Sequence, residues 1–288
     1  MIFLSRLPSF GHNFSRVVTG SILTAALAAC LVLGGSYLAA AIALVSGIAL
    51  YEFFQMFWPG GTKIATKIFG ILLGLLLLCP ATLPFSTVTG KSPDGVFLAM
   101  GCMWAGVAFL WDFGRGDGEA CLGDYALLPF ALLYIPVTLK LALSLSLNEQ
   151  ILIVGCAIAS DTAAFYFGTA FGKHKIWPAV SPKKSVEGSV AGFLASVFTA
   201  LVISSIPYGA GPLRDGNIIL NLAIGACLSL ASQFGDFFES AMKRRCNIKD
   251  SGHILPGHGG MLDRIDSILF SFVMYWFISC VIHLVPPA

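Results

Sequence analysis

Apolar stretches of about twenty residues recur along most of this chain, and that recurrence constrains its fold more than any other feature. A helix needs about 20 mainly apolar residues to cross the bilayer core, where every backbone polar group must be satisfied within the segment. Such stretches fall at approximately 17–35, 37–57, 66–83, 95–111, 124–146, 150–171, 188–208, 217–239 and 266–285. The first two are nearly continuous, and "GGS" at 34–36 is where they would break, as a hairpin or as a kink in one long helix. Charged residues make up only 11% of the 288 and hydrophobic ones 57%, against about 25% charged in ordinary soluble domains. The polar surface that keeps a globule in solution is missing. The sequence predicts an all-α, polytopic integral membrane protein with about nine transmembrane helices, forming one membrane-embedded domain over residues 1–288.

Arg6 and Arg16 precede the first apolar run, an arrangement that resembles a secretory signal. The run is far longer than a signal's apolar core and ends at no clear cleavage site. We therefore read it as a retained first span. Placing the N-terminus in the cytoplasm and alternating sides puts 14 of the 17 basic residues on that side, all but Lys91, Lys140 and Arg214. This is the asymmetry that cytoplasmic loops carry, and merging the first two stretches into one span would put Arg6 and Arg16 on the wrong side. The eight cysteines are scattered, mostly within apolar stretches, and form no CxxC pair. They read as small buried hydrophobes rather than a zinc site. The net charge of +2, without a Lys/Arg-rich tract, gives no sign of a nucleic-acid partner.

The two parts of the chain differ. Residues 1–147 are spans of no evident role. Residues 148–288 hold most of the polar material, in two loops at 172–187 and 240–265 that follow even-numbered spans and so face the same side. Charges within spans are costly and usually face a cavity or a partner, which singles out Asp161 in "IASDTAAFYFG" and Asp236 in "SQFGDFFESAMKRR". Asp236, Glu239 and Lys243 share a face if their helix continues, and Asp263 and Asp266 share one at the entrance to the last span. Carboxylate-rich, histidine-poor clusters suit Mg²⁺. His253 and His258 are better explained as hydrogen-bonding groups. Beside the carboxylates stand Lys243, Arg244, Arg245, Lys249 and Arg264, giving the composition of a metal–phosphate site. The plainer reading of these cations is a topological anchor at anionic lipids. "PGHGG", with Gly259 and Gly260, supplies backbone N–H groups able to approach an anion. "SPKKS", with Ser181, Lys183, Lys184 and Ser185, reads equally as a phosphate contact or as topology control.

The run S-x-M-K-R-x4-K-D-x-G-x2-L-P-x-H-G-G-M-x-D-R-I-D, from Ser240 to Asp266, resembles the signature of the phosphatidate cytidylyltransferases, or CDP-diglyceride synthetases. "SDTAAFYFGTAFGKHK" and "SPKKSVEG" also resemble that family, with Ala163 where many relatives have Gly. The likeness is detailed from about 155 to 285; before that it rests on hydropathy and the order of spans. It implies transfer of a cytidylyl group from CTP to phosphatidic acid, giving CDP-diacylglycerol and pyrophosphate. The lipid phosphate would itself attack the α-phosphorus, so no protein nucleophile is required.

The roles implied are Asp236 and Asp263 on Mg²⁺, with Asp266 as a further ligand or support, and a second cation alongside in some arrangements. Lys243 would steady a phosphate, assisted by Arg264 and Lys249. Asp250 would orient Lys249 or the nucleotide. Asp161, Lys183 and Lys184 would shape the substrate side, with Ser181, Ser185, Arg244, His258, Gly259 and Gly260 as further contacts. The resemblance also implies a bacterial inner membrane, catalytic loops on the cytoplasmic side, membrane lipids as surroundings, and room for a homodimer. Two rivals remain. A CTP-dependent polyprenol kinase would release CDP instead of pyrophosphate. An ion-coupled transporter would use Asp161 and Asp236 for its ion and consume no CTP. The CDP-alcohol phosphotransferase pattern, DGxxAR followed by GxxxDxxxD, does not occur in the chain.

Overall fold

Long apolar runs dictate helices, and in the structure, a computed structural model, the described residues are almost entirely helical. These are 20–21, 25–79, 94–115, 121–205, 217–255 and 259–284. The helices are α1 (Gly35–Phe57), α2 (Ile64–Leu78), α3 (Asp94–Gly114), α4 (Leu122–Leu132), α5 (Thr138–Leu143), α6 (Leu147–Phe171), α7 (Val186–Ser204), α8 (Ile218–Arg245) and α9 (Leu262–Leu284). A π-helical turn, Leu133–Val137, joins α4 to α5, so the two form one span, Leu122–Leu143. Among the described residues seven helices are long and apolar enough to cross a membrane, α2 being a shorter apolar helix of 15 residues. With the multi-span pattern, this makes the chain an integral membrane protein. The expected first span lies partly outside the described residues. Residues 25–33 of it are helical and end at Gly34, whose φ of 59°, followed by 48° at Gly35, breaks the helix where the glycine pair predicted.

Local chemistry accounts for the ends and irregularities. Pro129 and Pro136 each remove an N–H from the α4–α5 span. The Thr138 hydroxyl lies within hydrogen-bonding distance of the carbonyls of Tyr134 (2.5 Å) and Ile135 (3.0 Å) at the resulting π-turn. Ser146 and Glu149 form a capping box at the start of α6, satisfying two N–H groups the helix leaves open. Ser185 caps α7 by accepting the Gly188 N–H at 3.2 Å.

Two expected boundaries shift. The span placed at 217–239 continues as α8 to Arg245, and the last span begins at Leu262 rather than 266. Residues 240–245, expected in a loop, are helical, and Asp263 lies in the first turn of α9. At 28 residues α8 is about 42 Å long, so it outreaches the hydrocarbon of about 30 Å and its polar last turns need not sit in lipid.

α6, α7, α8 and α9 pack tightly because small residues line their contacts. A Cβ on Gly192 of α7 would stand 2.7 Å from the Ser160 carbonyl oxygen of α6, so only glycine permits that approach. Polar groups between helices pair with one another, as lipid requires. Ser160 Oγ lies 3.1 Å from Ser229 Oγ, and Gln233 donates to the Ser189 carbonyl at 3.2 Å. The first half joins this bundle through rings: Phe130 and Tyr134 pack on Phe238 at 6.0 and 5.5 Å, and Tyr134 on Phe270 at 6.2 Å. Where α8 meets α9, a Cβ on Gly235 would be 2.5 Å from the Asp266 carbonyl oxygen. Gly235→Ala is therefore expected to force the two helices apart at a cost of about 1–3 kcal/mol. A lowered thermal midpoint in detergent, with activity lost in parallel, would register the displacement; an unchanged midpoint would refute it.

Candidate functional site

The converging ends of α6, α8 and α9 and the start of α7 enclose a cavity of about 580 Å³. Its wall collects most of the residues singled out in the sequence. Asp161 comes from α6, and Lys183, Lys184 and Ser185 from the segment before α7. Asp236 and Lys243 come from α8, Asp250 from the following loop, and Asp263, Arg264 and Asp266 from α9. Two polar loops far apart in sequence thus meet, as their shared side predicted. Lys184 pairs with Asp236 and lies over the Phe237 ring, 4.1 Å from its centroid. Trp177 packs edge-on to Phe237 at 5.0 Å, and Arg244 Nε donates to the Val180 carbonyl at 3.3 Å. Glu187 accepts from the backbone of Lys173 (3.1 Å) and His174 (3.2 Å), closing the other end of that segment.

On the acidic side of the cavity Asp266 Oδ1 accepts the Ser267 N–H at 2.7 Å, and Asp236 takes Lys184. Ser267 Oγ lies 3.0 Å from Asp161 Oδ2 and 3.1 Å from Asp266 Oδ1, so one hydroxyl proton stands between two carboxylates. Asp266 is buried, with 6% of its surface exposed. Asp236 faces both from α8, close enough for its charge to act on each. The basic side is organised around Lys243, whose ammonium pairs with Glu239 and lies 2.7 Å from Asp263 Oδ1. Glu239 is fully buried, with 0% exposed. Asp263 also accepts the N–H groups of Ser251 (3.0 Å) and Gly260 (2.8 Å) on Oδ2. The anion that Gly260 N–H approaches is thus a carboxylate of the chain itself. Gly259 has φ +82°, and a Cβ there would be 2.8 Å from the same Oδ2.

Other sequence-designated residues stand outside the cavity wall. Ser181 lies in the turn before α7, its N–H on the Trp177 carbonyl at 2.9 Å. Arg244 reaches the carbonyls of Val180 and Ile248, tying the two loops together. Lys249 is exposed, as is His253, while His258 lies outside the described residues. Burial raises the Cys246 thiol above its ordinary range, opposed by the nearby Arg245 charge. Sequence reasoning did not select Ser267, which carries no signal of its own, or Glu52 of α1, a lone acid in an apolar run. Glu239 was visible three residues after Asp236 but was given no role.

A profile of the cytidylyltransferase family matches residues 14–282. The chain belongs to that family. It is 30% identical to the phosphatidate cytidylyltransferase of Bacillus subtilis over 274 residues, which covers 91% of this chain and 96% of that protein. Shorter matches reach the phosphatidate cytidylyltransferases of Staphylococcus saprophyticus, 48% identical over 113 residues (38% of this chain, 41% of that protein), and Staphylococcus haemolyticus, 34% identical over 179 residues (62% and 56%). The family makes the protein a nucleotidyltransferase, and the cavity holds the groups such chemistry needs: cations for phosphate, carboxylates for a metal. The donor set fits Mg²⁺, which typically takes one or two carboxylates and completes its shell with water and substrate phosphates. Two carboxylates sharing one hydroxyl proton are a site where a cation relieves repulsion. Among the described residues no group of three or more His, Cys, Asp or Glu side chains is placed to hold a metal ion.

Proposed function

We propose that the protein transfers the cytidylyl group of CTP to phosphatidic acid, releasing pyrophosphate and leaving CDP-diacylglycerol in the membrane. The observation that carries this reading is one cavity lined by both phosphate-type cations and clustered carboxylates, with Ile158 and Phe165 of α6 on its wall and themselves exposed on the helix surface. An anionic headgroup would rest among the cations while its acyl chains remain beside the apolar face of α6. Lys183 and Lys184 would bind phosphate oxygens at the start of α7. Lys243, fixed by Glu239 and Asp263, would present its ammonium to the charge that builds at the α-phosphorus, with Arg264 beside it. Asp250 would orient the nucleotide with Lys249 near the loop, and Asp161 would set the limit of the headgroup position. One or two of Asp236, Asp263 and Asp266 would hold Mg²⁺ directly, whose charge would neutralise phosphate oxygens in such a displacement. The lipid phosphate oxygen forms the new bond to the α-phosphorus, and the bond to pyrophosphate breaks. Positioning and charge are then the protein's whole contribution. The basic residues of both loops favour the cytoplasmic side of a bacterial inner membrane, where CTP is available.

Protein purified in detergent, given phosphatidic acid, labelled CTP and Mg²⁺, is expected to move label into the lipid phase and release one pyrophosphate per lipid product. Chelation should reduce the rate by about 10²-fold or more. Release of CDP with a lipid alcohol as acceptor would replace this reading with the kinase. Intact CTP across a range of acceptors would replace it with a transporter.

A further inference from the structure

Glu52 is a carboxylate in the middle of an apolar helix, 2% exposed, and without a cation paired to it among the described residues. Burying it is costly unless it does something specific. Its Oε2 accepts the N–H of Leu262, the first residue of α9, at 2.9 Å, and lies 3.3 Å from the Ser251 hydroxyl. Its Oε1 has no hydrogen-bond partner among the described residues and lies against Gly252, where a Cβ would be 2.4 Å away. A Cβ on Gly260 would be 2.6 Å from Oε2 and 2.1 Å from Ser251 Oγ. Asp263 grips the same two strands of loop from the other side, through the N–H groups of Ser251 and Gly260. The neck of the loop, Ser251–Gly252 on one side and Gly260–Leu262 on the other, is therefore clamped between two carboxylates, one from each half of the chain. Two glycines of the signature, Gly252 and Gly260, are accounted for by the room that the Glu52 carboxylate occupies.

We infer that Glu52 is a positioning residue for the cytidylyltransferase site: by pinning Ser251 and Leu262 it fixes the loop neck on which Asp263, and through it the Lys243 ammonium, is held. The inference rests on the reading of the cavity as that site. It also gives the apolar first half a defined part in catalysis, since Glu52 comes from α1. Glu52 touches neither the cavity wall nor a reacting group, so its effect on rate passes entirely through Ser251, Leu262 and Asp263.

The geometry predicts an order of variants that burial or charge alone would not give. Both donors meet one oxygen, so Glu52→Gln, with its amide oxygen in that place, keeps both contacts and loses only the charge. Glu52→Asp keeps the charge but withdraws the oxygen by one methylene. Glu52→Gln is expected to retain kcat within about threefold, and Glu52→Asp to lose about 10²-fold, the scale on which a displacement of about 1 Å acts. KM for CTP should change less than about threefold in both, because the phosphate-binding lysines come from another segment. The neck should also loosen in Glu52→Asp, so that trypsin cleaves after Lys249 faster than in the parent protein, a readout independent of activity. Asp equal to or better than Gln, or unchanged kcat and cleavage in folded Glu52→Asp, would overturn the inference. A parent protein that makes no CDP-lipid would instead overturn the function on which it rests, and the protease readout would still decide whether Glu52 pins the loop.

Discussion

Asp263→Asn is expected to lower cytidylyl transfer by about 10³-fold or more while the protein remains folded in detergent. The side chain accepts on all sides: from Lys243 Nζ and the Ser251 N–H at Oδ1, and from the Ser251 and Gly260 N–H groups at Oδ2. Asparagine offers one oxygen and one NH2. Whichever way it turns, a donor faces a donor, either the ammonium or the loop amides. If the oxygen stays on the loop, Lys243 loses its second anchor and the ammonium shifts off the cavity. If it stays on Lys243, the loop neck opens. The loss of a metal-directed carboxylate adds to either. Removing a single charge-stabilising group from a preorganised site typically costs 10²–10³-fold, and this substitution disturbs two. The measurement is single-turnover formation of CDP-lipid, with the thermal midpoint as a check on folding. Near-parental turnover would remove Asp263 from the site.

The fold was legible where it depends on hydrocarbon length. Span positions, the break at Gly34 and the polar loop region followed from runs of apolar residues and from glycine. The end of α8 was not legible, because Ser240–Arg245 reads as polar loop. Its helix is instead continued by the Glu239–Lys243 pair at i, i+4 and by the three basic residues of its last turn, which favour a helix C-terminus. Of the site, Asp266 was visible because it shares a helix face with Asp263, and Asp161 and Asp236 because a carboxylate in an apolar stretch demands explanation. That logic applied equally to Glu52. What the sequence lacks is the pairing: nothing in "ALYEFFQMFW" points to Leu262, 210 residues further on. The glycines of "PGHGG" were read as backbone able to approach an anion of the substrate, and the Gly260 N–H meets a carboxylate of the chain. That the anions include Asp263 and Glu52 depends on how two halves of the chain pack, and local sequence carries no record of it.

Lys243 carries the second large effect, and there stability and catalysis can be separated. Its side chain is 13% exposed and is the cation beside Glu239, which is 0% exposed, and Asp263, which is 8% exposed. Lys243→Met leaves Glu239 buried without its counter-charge. Breaking a buried pair from one side costs about 3–5 kcal/mol, whereas replacing both partners is often close to neutral. The single variant should therefore melt well below the parent protein, and Lys243→Met with Glu239→Leu should recover most of that loss. Activity should not follow. The ammonium proposed to face the reacting phosphate is gone in both variants, so the double variant should remain about 10²-fold or more below the parent at temperatures where it is fully folded. Thermal unfolding and CDP-lipid formation measured on the same samples test the two halves of the claim separately. A double variant as stable and as active as the parent would reduce Lys243 to a structural counter-ion, whereas stability without activity would assign it to the phosphates.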